Sequence, residues 1–312
     1  MNTPKRLPTK SSTRSTSFFG LSRGMLLAAT AVVAVLGGVT LLSGASDKPV
    51  LLSDLKQQTH YHGLAVDRAD PSRLLLATHH GFYIVNKDGV ATRVSPVQDF
   101  MGFTPHPTNK SILFASGHPS GGGNMGFLRS DDGGISWKQV SPGLGGPVDF
   151  HQMDVSPADT NVVYGSFRGI QVSRDGGQNW SMAGPGPEGL IALAASRANP
   201  DRVYAATQSG LQVSADAGKS WSPAGFEGQV VSTVGIGSGS NVFAFVVGKG
   251  LQQGNDGSPI NWSPLSNDFG DRALLHLAVD EANPARMYAS TDDSSLLAST
   301  DGGHSWHPFG AK

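Results

Sequence analysis

Ser130-Asp131-Asp132-Gly133-Gly134-Ile135-Ser136-Trp137 is one copy of a phrase that the chain repeats. It recurs as Ser173-Arg174-Asp175-Gly176-Gly177-Gln178-Asn179-Trp180, as Ser214-Ala215-Asp216-Ala217-Gly218-Lys219-Ser220-Trp221 and as Ser299-Thr300-Asp301-Gly302-Gly303-His304-Ser305-Trp306. A worn copy with one extra residue runs from Asp256 to Trp262, so all five tryptophans close a copy. Successive tryptophans stand 43, 41, 41 and 44 residues apart, a fixed period of the size that marks propeller blades or a solenoid. The chemistry of the phrase is that of a turn. Asp accepts backbone N–H bonds within a tight turn, Gly supplies positive φ, and Trp buries a large apolar area between strands. Asp132, Asp175, Asp216 and Asp301, with Trp137, Trp180, Trp221 and Trp306, are therefore expected to be framework rather than ligands.

Working outward, the stretch from Asp47 to Lys312 divides into six units of one grammar: an apolar strand, a turn, a second strand, a short loop, a third strand, the Asp-containing turn and a fourth strand. The first turn reads Asp67-Arg68-Ala69-Asp70-Pro71, Ser196-Arg197-Ala198-Asn199-Pro200 and Asp280-Glu281-Ala282-Asn283-Pro284. The second strand follows as Arg73-Leu74-Leu75-Leu76, Arg202-Val203-Tyr204 and Arg286-Met287-Tyr288. Alternating β-branched, aromatic and small residues favour strands over helices. Blade one lacks the Trp, its turn reduced to Asn86-Lys87-Asp88-Gly89. The reading is an all-β, six-bladed propeller over residues 46–312, with about 44 residues per four-stranded blade. Val50-Leu51-Leu52 is expected to add an outer strand to the last blade and close the ring, removing exposed edges.

The pattern Ser-x-Asp-x-Gly-x-x-Trp resembles the Asp-box, or BNR, repeat of the sialidase, sortilin and photosystem-assembly-factor propellers. The resemblance implies the propeller fold and says little of activity, because the box folds a hairpin rather than performing chemistry. Exported bacterial BNR-repeat proteins, which the chain also resembles, are classed as glycosyl hydrolases. A sialidase would need an arginine triad, a Tyr/Glu nucleophilic pair, an Asp acid/base and a Phe-Arg-Ile-Pro motif, and that motif does not occur here. Arg73, Arg202 and Arg286 occupy one repeat position, as do Tyr164, Tyr204 and Tyr288, so both sets read as framework. Tyr61 is the tyrosine left at the mouth.

Composition agrees with a β-rich domain behind a targeting segment. Gly 41 and Pro 19 against three glutamates (Glu188, Glu227, Glu281) suit many turns and few helices. Net charge is −1, but residues 1–45 carry five basic side chains and no acids, leaving −6 on the remainder. That acidic body excludes nucleic acid as the partner. Residues 1–24 read as a basic, disordered cytoplasmic segment, and residues 25–45 as a membrane-spanning helical anchor or a cleaved signal peptide. Either places the propeller in the bacterial cell envelope: anchored in the inner membrane facing the periplasm, or secreted after cleavage. The absence of cysteine excludes a disulfide, a lipoprotein anchor and a thiol nucleophile.

Superposing the repeats separates framework from candidate function. His106 and His304 fall in turns, His307 lies near the end, and His276 sits within an apolar strand as a core histidine. His60, His62, His79, His80, His118 and His151 all fall in blades one to three. His62 and His151 share one repeat position, His60 and Asp149 another, and His79, His118 and Arg168 a third. The start of the first strand and the loop between second and third strands open on one face, opposite the Asp boxes. The six histidines, Asp99, Asp149 and Arg168 should therefore meet at one side of the central mouth. The long loop Pro119-Ser120-Gly121-Gly122-Gly123-Asn124 belongs to the same face, where insertions often mark binding. Asp99-Phe100 and Asp149-Phe150 echo each other there. Three readings of the rim stand: histidines that plug the channel, a ligand or substrate site, and a metal site. For the last, His60, His62, His79, His118 and His151 are the candidate ligands of a divalent transition metal such as zinc, copper, nickel or iron.

The expectation is an exported or anchored propeller that binds a protein, glycan or small ligand through this His/Asp-rich mouth. The alternative is a glycoside hydrolase other than a sialidase, which needs two carboxyl groups at a set spacing. Asp99, Asp149 and Glu188 are the candidates for that work.

Overall fold

The computed structural model describes residues 48–257 and 259–310. The basic segment 1–24 and the apolar segment 25–45 lie outside the described residues, among which no helix is long and apolar enough to cross a membrane. Six antiparallel sheets surround a central channel. The first strand of each blade lines the channel: Tyr61–Val66, Gln98–Pro105, Gln152–Val155, Leu190–Ala195, Val231–Ile236 and Leu274–Val279. Each packs on the next, and Leu274–Val279 returns to Tyr61–Val66 to complete the ring.

Each blade is folded from consecutive strands, so no strand is exchanged across the seam. Val50–Leu51, expected on the last blade, instead pairs with Val90 and Ala91 at the outer edge of blade one and makes that sheet five-stranded. The short helix Leu52–Leu55 explains this placement. It follows the strand at once, the Leu52 N–H donates to the Gly89 carbonyl at 2.9 Å, and Leu55 is sunk into the blade-one core. The seam itself is apolar. Tyr288 and Phe309 of blade six meet edge-on at 5.4 Å and pack with Leu55, Leu64 and Leu76 of blade one.

The box acts as a built turn. Ser130 Oγ accepts the Gly134 N–H at 2.8 Å and donates to Asp132 at 2.8 Å. Asp132 in turn accepts from Ser136 N–H at 2.9 Å and Ser136 Oγ at 2.6 Å. The same net recurs at Ser173/Asp175, Ser214/Asp216 and Ser299/Asp301. It holds Asp175 down to about 2, mainly through the Asn179 N–H, and Asp216 down to about 2, mainly through the Ser220 hydroxyl. The second glycine also seats the turn on the preceding blade. A Cβ on Gly134 would meet Phe82 at 2.3 Å, and one on Gly177 would meet Phe127 at 2.0 Å.

The worn fifth copy has a different task. Asp256 is buried and accepts from Ser196 Oγ and Tyr204 Oη, both at 2.8 Å, and from the backbone N–H groups of Arg197 and Ala198. In blades one and six the first-turn carboxylates Asp67 and Asp280 hold Arg73 and Arg286. Blade four has Ser196 at that position, and Asp256 supplies the carboxylate from blade five, 3.8 Å from Arg202.

Candidate functional site

Two aromatic anchors set the rim. Phe100 and Phe150 are fully buried, each 4.8 Å from its own blade's tryptophan, Trp137 and Trp180. A carboxylate stands directly before each ring: Asp99 within Gln98–Pro105, and Asp149 in the segment that leads into Gln152–Val155. The partner histidines come from the end of the preceding blade's second strand. His79 opens the two-residue hairpin between Thr78 and Gly81, and His118 stands next to last in Leu113–Pro119. Gly117 makes that second arrangement geometrically available. Its φ is +134°, and a Cβ there would lie 2.0 Å from the Asp99 carbonyl oxygen.

The result is two triads. In the first, His79 Nδ1 lies 2.8 Å from Asp99 Oδ2, and His79 Nε2 lies 3.0 Å from His62 Nε2. In the second, His118 Nε2 and His151 Nε2 converge on Asp149 Oδ2 at 2.8 and 2.6 Å. His118 Nδ1 donates to the Gly123 carbonyl at 2.9 Å, so the glycine-rich loop turns back to hold this ring. Asp149 is 5% exposed, and its Oδ1, like Asp99 Oδ1, is buried with no hydrogen-bond partner among the described residues. Burial and then the neighbouring His79 lower His62 to about 4, whereas the hydrogen bond that His151 donates to Asp149 raises His151.

Other residues named from the sequence lie apart from these triads. His60 is exposed and meets His79 edge-on at 6.1 Å, and His80 is exposed. Arg168 is exposed with its guanidinium over the Phe167 ring at 5.2 Å, and Glu188 is an exposed loop carboxylate. The five imidazoles named as candidate ligands thus form no single shell. The blade geometry pairs each second-strand histidine with the next blade's aspartate, which splits them into two groups. His276 Nδ1 lies 2.7 Å from Ser290 Oγ, and burial lowers this histidine to about 4.

The rim opens on a channel cavity of about 420 Å³, with His62, His151 and His276 at one end and Arg68, Arg197 and Glu281 at the other. There Glu281 of blade six joins Arg68 of blade one to Arg197 of blade four. Midway, Asp154 accepts from Thr104 Oγ1, Ala195 N–H and Val155 N–H, each at 2.9 Å. These channel groups escaped the sequence reading. Superposition carried the signal for Asp154, which stands where other blades have Ala65, Thr104, Ala194 and Ala278.

The family described as BNR/Asp-box repeat matches residues 171–182, the blade-three copy of the turn. No curated protein sequence matches the chain. Among solved structures, the GH74 xyloglucanase of Xanthomonas campestris is similar with a TM-score of 0.55 and 20% identity, over 80% of this chain and 45% of the enzyme. The GH74 enzyme of Niastella koreensis gives 0.57 and 14%, over 80% and 45%. YCF48 bound to D1 peptide gives 0.50 and 16%, over 80% of this chain and 82% of that protein. The chain thus spans less than half the length of the two GH74 enzymes, and at these identities the likeness extends to the fold. With its four complete boxes, its closed ring of six sheets and this matched repeat, the chain is a six-bladed β-propeller of the BNR/Asp-box repeat type.

Proposed function

We propose that the chain is a cell-envelope binding propeller, anchored or exported by its N-terminal segment, which takes a protein or glycan partner at its histidine-bearing rim. One observation carries this reading: there are two His/Asp triads, and one histidine of each, His62 and His151, lines the channel cavity. Perturbed, convergent polar groups beside a cavity are the default signature of a binding site. The YCF48 propeller bound to D1 peptide supports a protein partner on this fold, and the GH74 xyloglucanase supports a glycan. Hydrolysis is the second reading, since a GH74 enzyme shares the fold. Against it, Asp149 is engaged by two imidazoles, and Asp99 by His79 with His62 at 3.8 Å, whereas a glycosidase needs two carboxyl groups available to the scissile bond.

The test is photo-crosslinking of the full chain in envelope membranes, with the crosslinker at His80 or Arg168 on the rim or at Gln178 on the box face. Discrete adducts are expected from the rim positions alone, with no turnover of xyloglucan or chromogenic glycosides. Adducts spread evenly over both faces would sink the binding reading. Glycoside turnover that Asp149→Asn abolishes in a folded protein would replace it with hydrolysis.

A further inference from the structure

We propose that the rim holds two divalent transition-metal ions, one at His118, Asp149 and His151 and one at His62, His79 and Asp99. This deepens the binding reading, on which it rests for the location of the partner: the metals present the group that the partner coordinates.

The second triad gives the argument its chemistry. A carbonyl oxygen only accepts, so the 2.9 Å contact to Gly123 fixes a proton on His118 Nδ1. In the neutral ring, Nε2 is then a lone pair facing the carboxylate oxygen Asp149 Oδ2 at 2.8 Å. His151 Nε2 converges on the same oxygen at 2.6 Å. A metal cation in place of the protons at these nitrogens would take both imidazoles and the carboxylate oxygen as donors. The other carboxylate oxygen, Oδ1, is buried without a hydrogen-bond partner among the described residues, a state whose desolvation is costly unless something binds it. The loop carbonyl behind Nδ1 is the backing that orients a metal-bound imidazole and fixes its tautomer.

The first triad has the same parts, set back by one blade. His79 and His118 share a repeat position, and so do Asp99 and Asp149. His79 Nδ1 is backed by Asp99 Oδ2 at 2.8 Å, which leaves Nε2 facing His62 Nε2 at 3.0 Å. Asp99 Oδ1 stands 3.8 Å from His62 Nε2 and is likewise buried and unpartnered. The third donor is where the copies differ. Met101 occupies in blade two the position of His151 in blade three, and His62 reaches in from blade one instead. In each triad the donor atoms lie within 4.8 Å of one another. Donors in a tetrahedral zinc site are about 3.3 Å apart, given metal–ligand bonds of roughly 2.0–2.1 Å, so small side-chain shifts suffice.

Imidazole nitrogen with carboxylate oxygen and no thiolate suits zinc, copper(II) or nickel over calcium or magnesium. Three protein donors leave a coordination position free. His79 and His151 are 41% and 60% exposed, so that position faces the partner side.

The test uses the full chain purified in detergent, stripped by chelation, given zinc, copper or nickel alone, desalted and analysed for bound metal. Roughly two equivalents of at least one metal are expected, falling to about one in His151→Ala or His79→Ala and to near zero in the double variant. Both side chains are exposed enough for removal without unfolding, which near-UV circular dichroism checks. A wild-type stoichiometry well below two, or one that the variants leave unchanged, overturns the proposal. Rim crosslinking that persists in protein unable to bind metal sinks this inference alone. Normal metal binding without any rim partner sinks the binding reading and spares the sites.

Discussion

At Asp154 a single carboxyl ties blades two, three and four together inside the channel wall. Burial raises it to about 6 against the pull of the Ala195 N–H and the Thr104 hydroxyl, whereas the unfolded chain ionises it near 4. Between those values the native state binds the additional proton, so this residue's contribution to stability falls as pH rises from about 4 to about 6. Asp154→Asn removes that titration. Denaturation at about pH 4.5 and about pH 7.5 should show the difference between variant and wild type moving in the variant's favour by about 2 kcal/mol. No such movement would mean that the carboxyl titrates alike in both states. This residue was visible in the sequence as a charge among small side chains, yet its value depends on donors from two other blades. The boxes were legible for the opposite reason. Ser130, Asp132, Gly134 and Ser136 satisfy one another within a single turn, so their meaning is local.

At the scale of the strand, Phe150 decides where Asp149 stands. Its ring fills the space between Trp180 and Gly165, where a Cβ would come within 2.5 Å of the ring. Phe150→Ala should cost about 3–5 kcal/mol by leaving a cavity, and Phe150→Leu distinctly less. Thermal and chemical unfolding measure the cost, and the ring signals of His118 and His151 should broaden in the alanine variant as Asp149 loosens. An unchanged stability would show that the anchor is dispensable. The order of strands and the number of blades followed from repeat spacing. The grouping of the histidines did not. A repeat position says which residues are alike, whereas Asp99 and His79 meet because successive blades are rotated about the channel. Val50–Leu51 was misplaced because two residues carry no periodicity, and the deciding contact comes from Leu55 just beyond them.

For the whole ring, the junction between first and last blades is its distinctive joint, closed by side chains rather than by a shared ladder. Phe309→Ala should lower stability by about 2 kcal/mol through lost apolar burial. Hydrogen exchange should quicken in blades one and six ahead of blade four, and uniform quickening around the ring would refute a localised joint. The salt links from Arg68 through Glu281 to Arg197 have a consequence of another kind. They strap blades one, four and six together across one end of the channel, so a force that spreads the ring there must part ions as well as apolar surfaces. Raising the ionic strength should therefore loosen that end of the toroid while leaving the box turns on its periphery untouched.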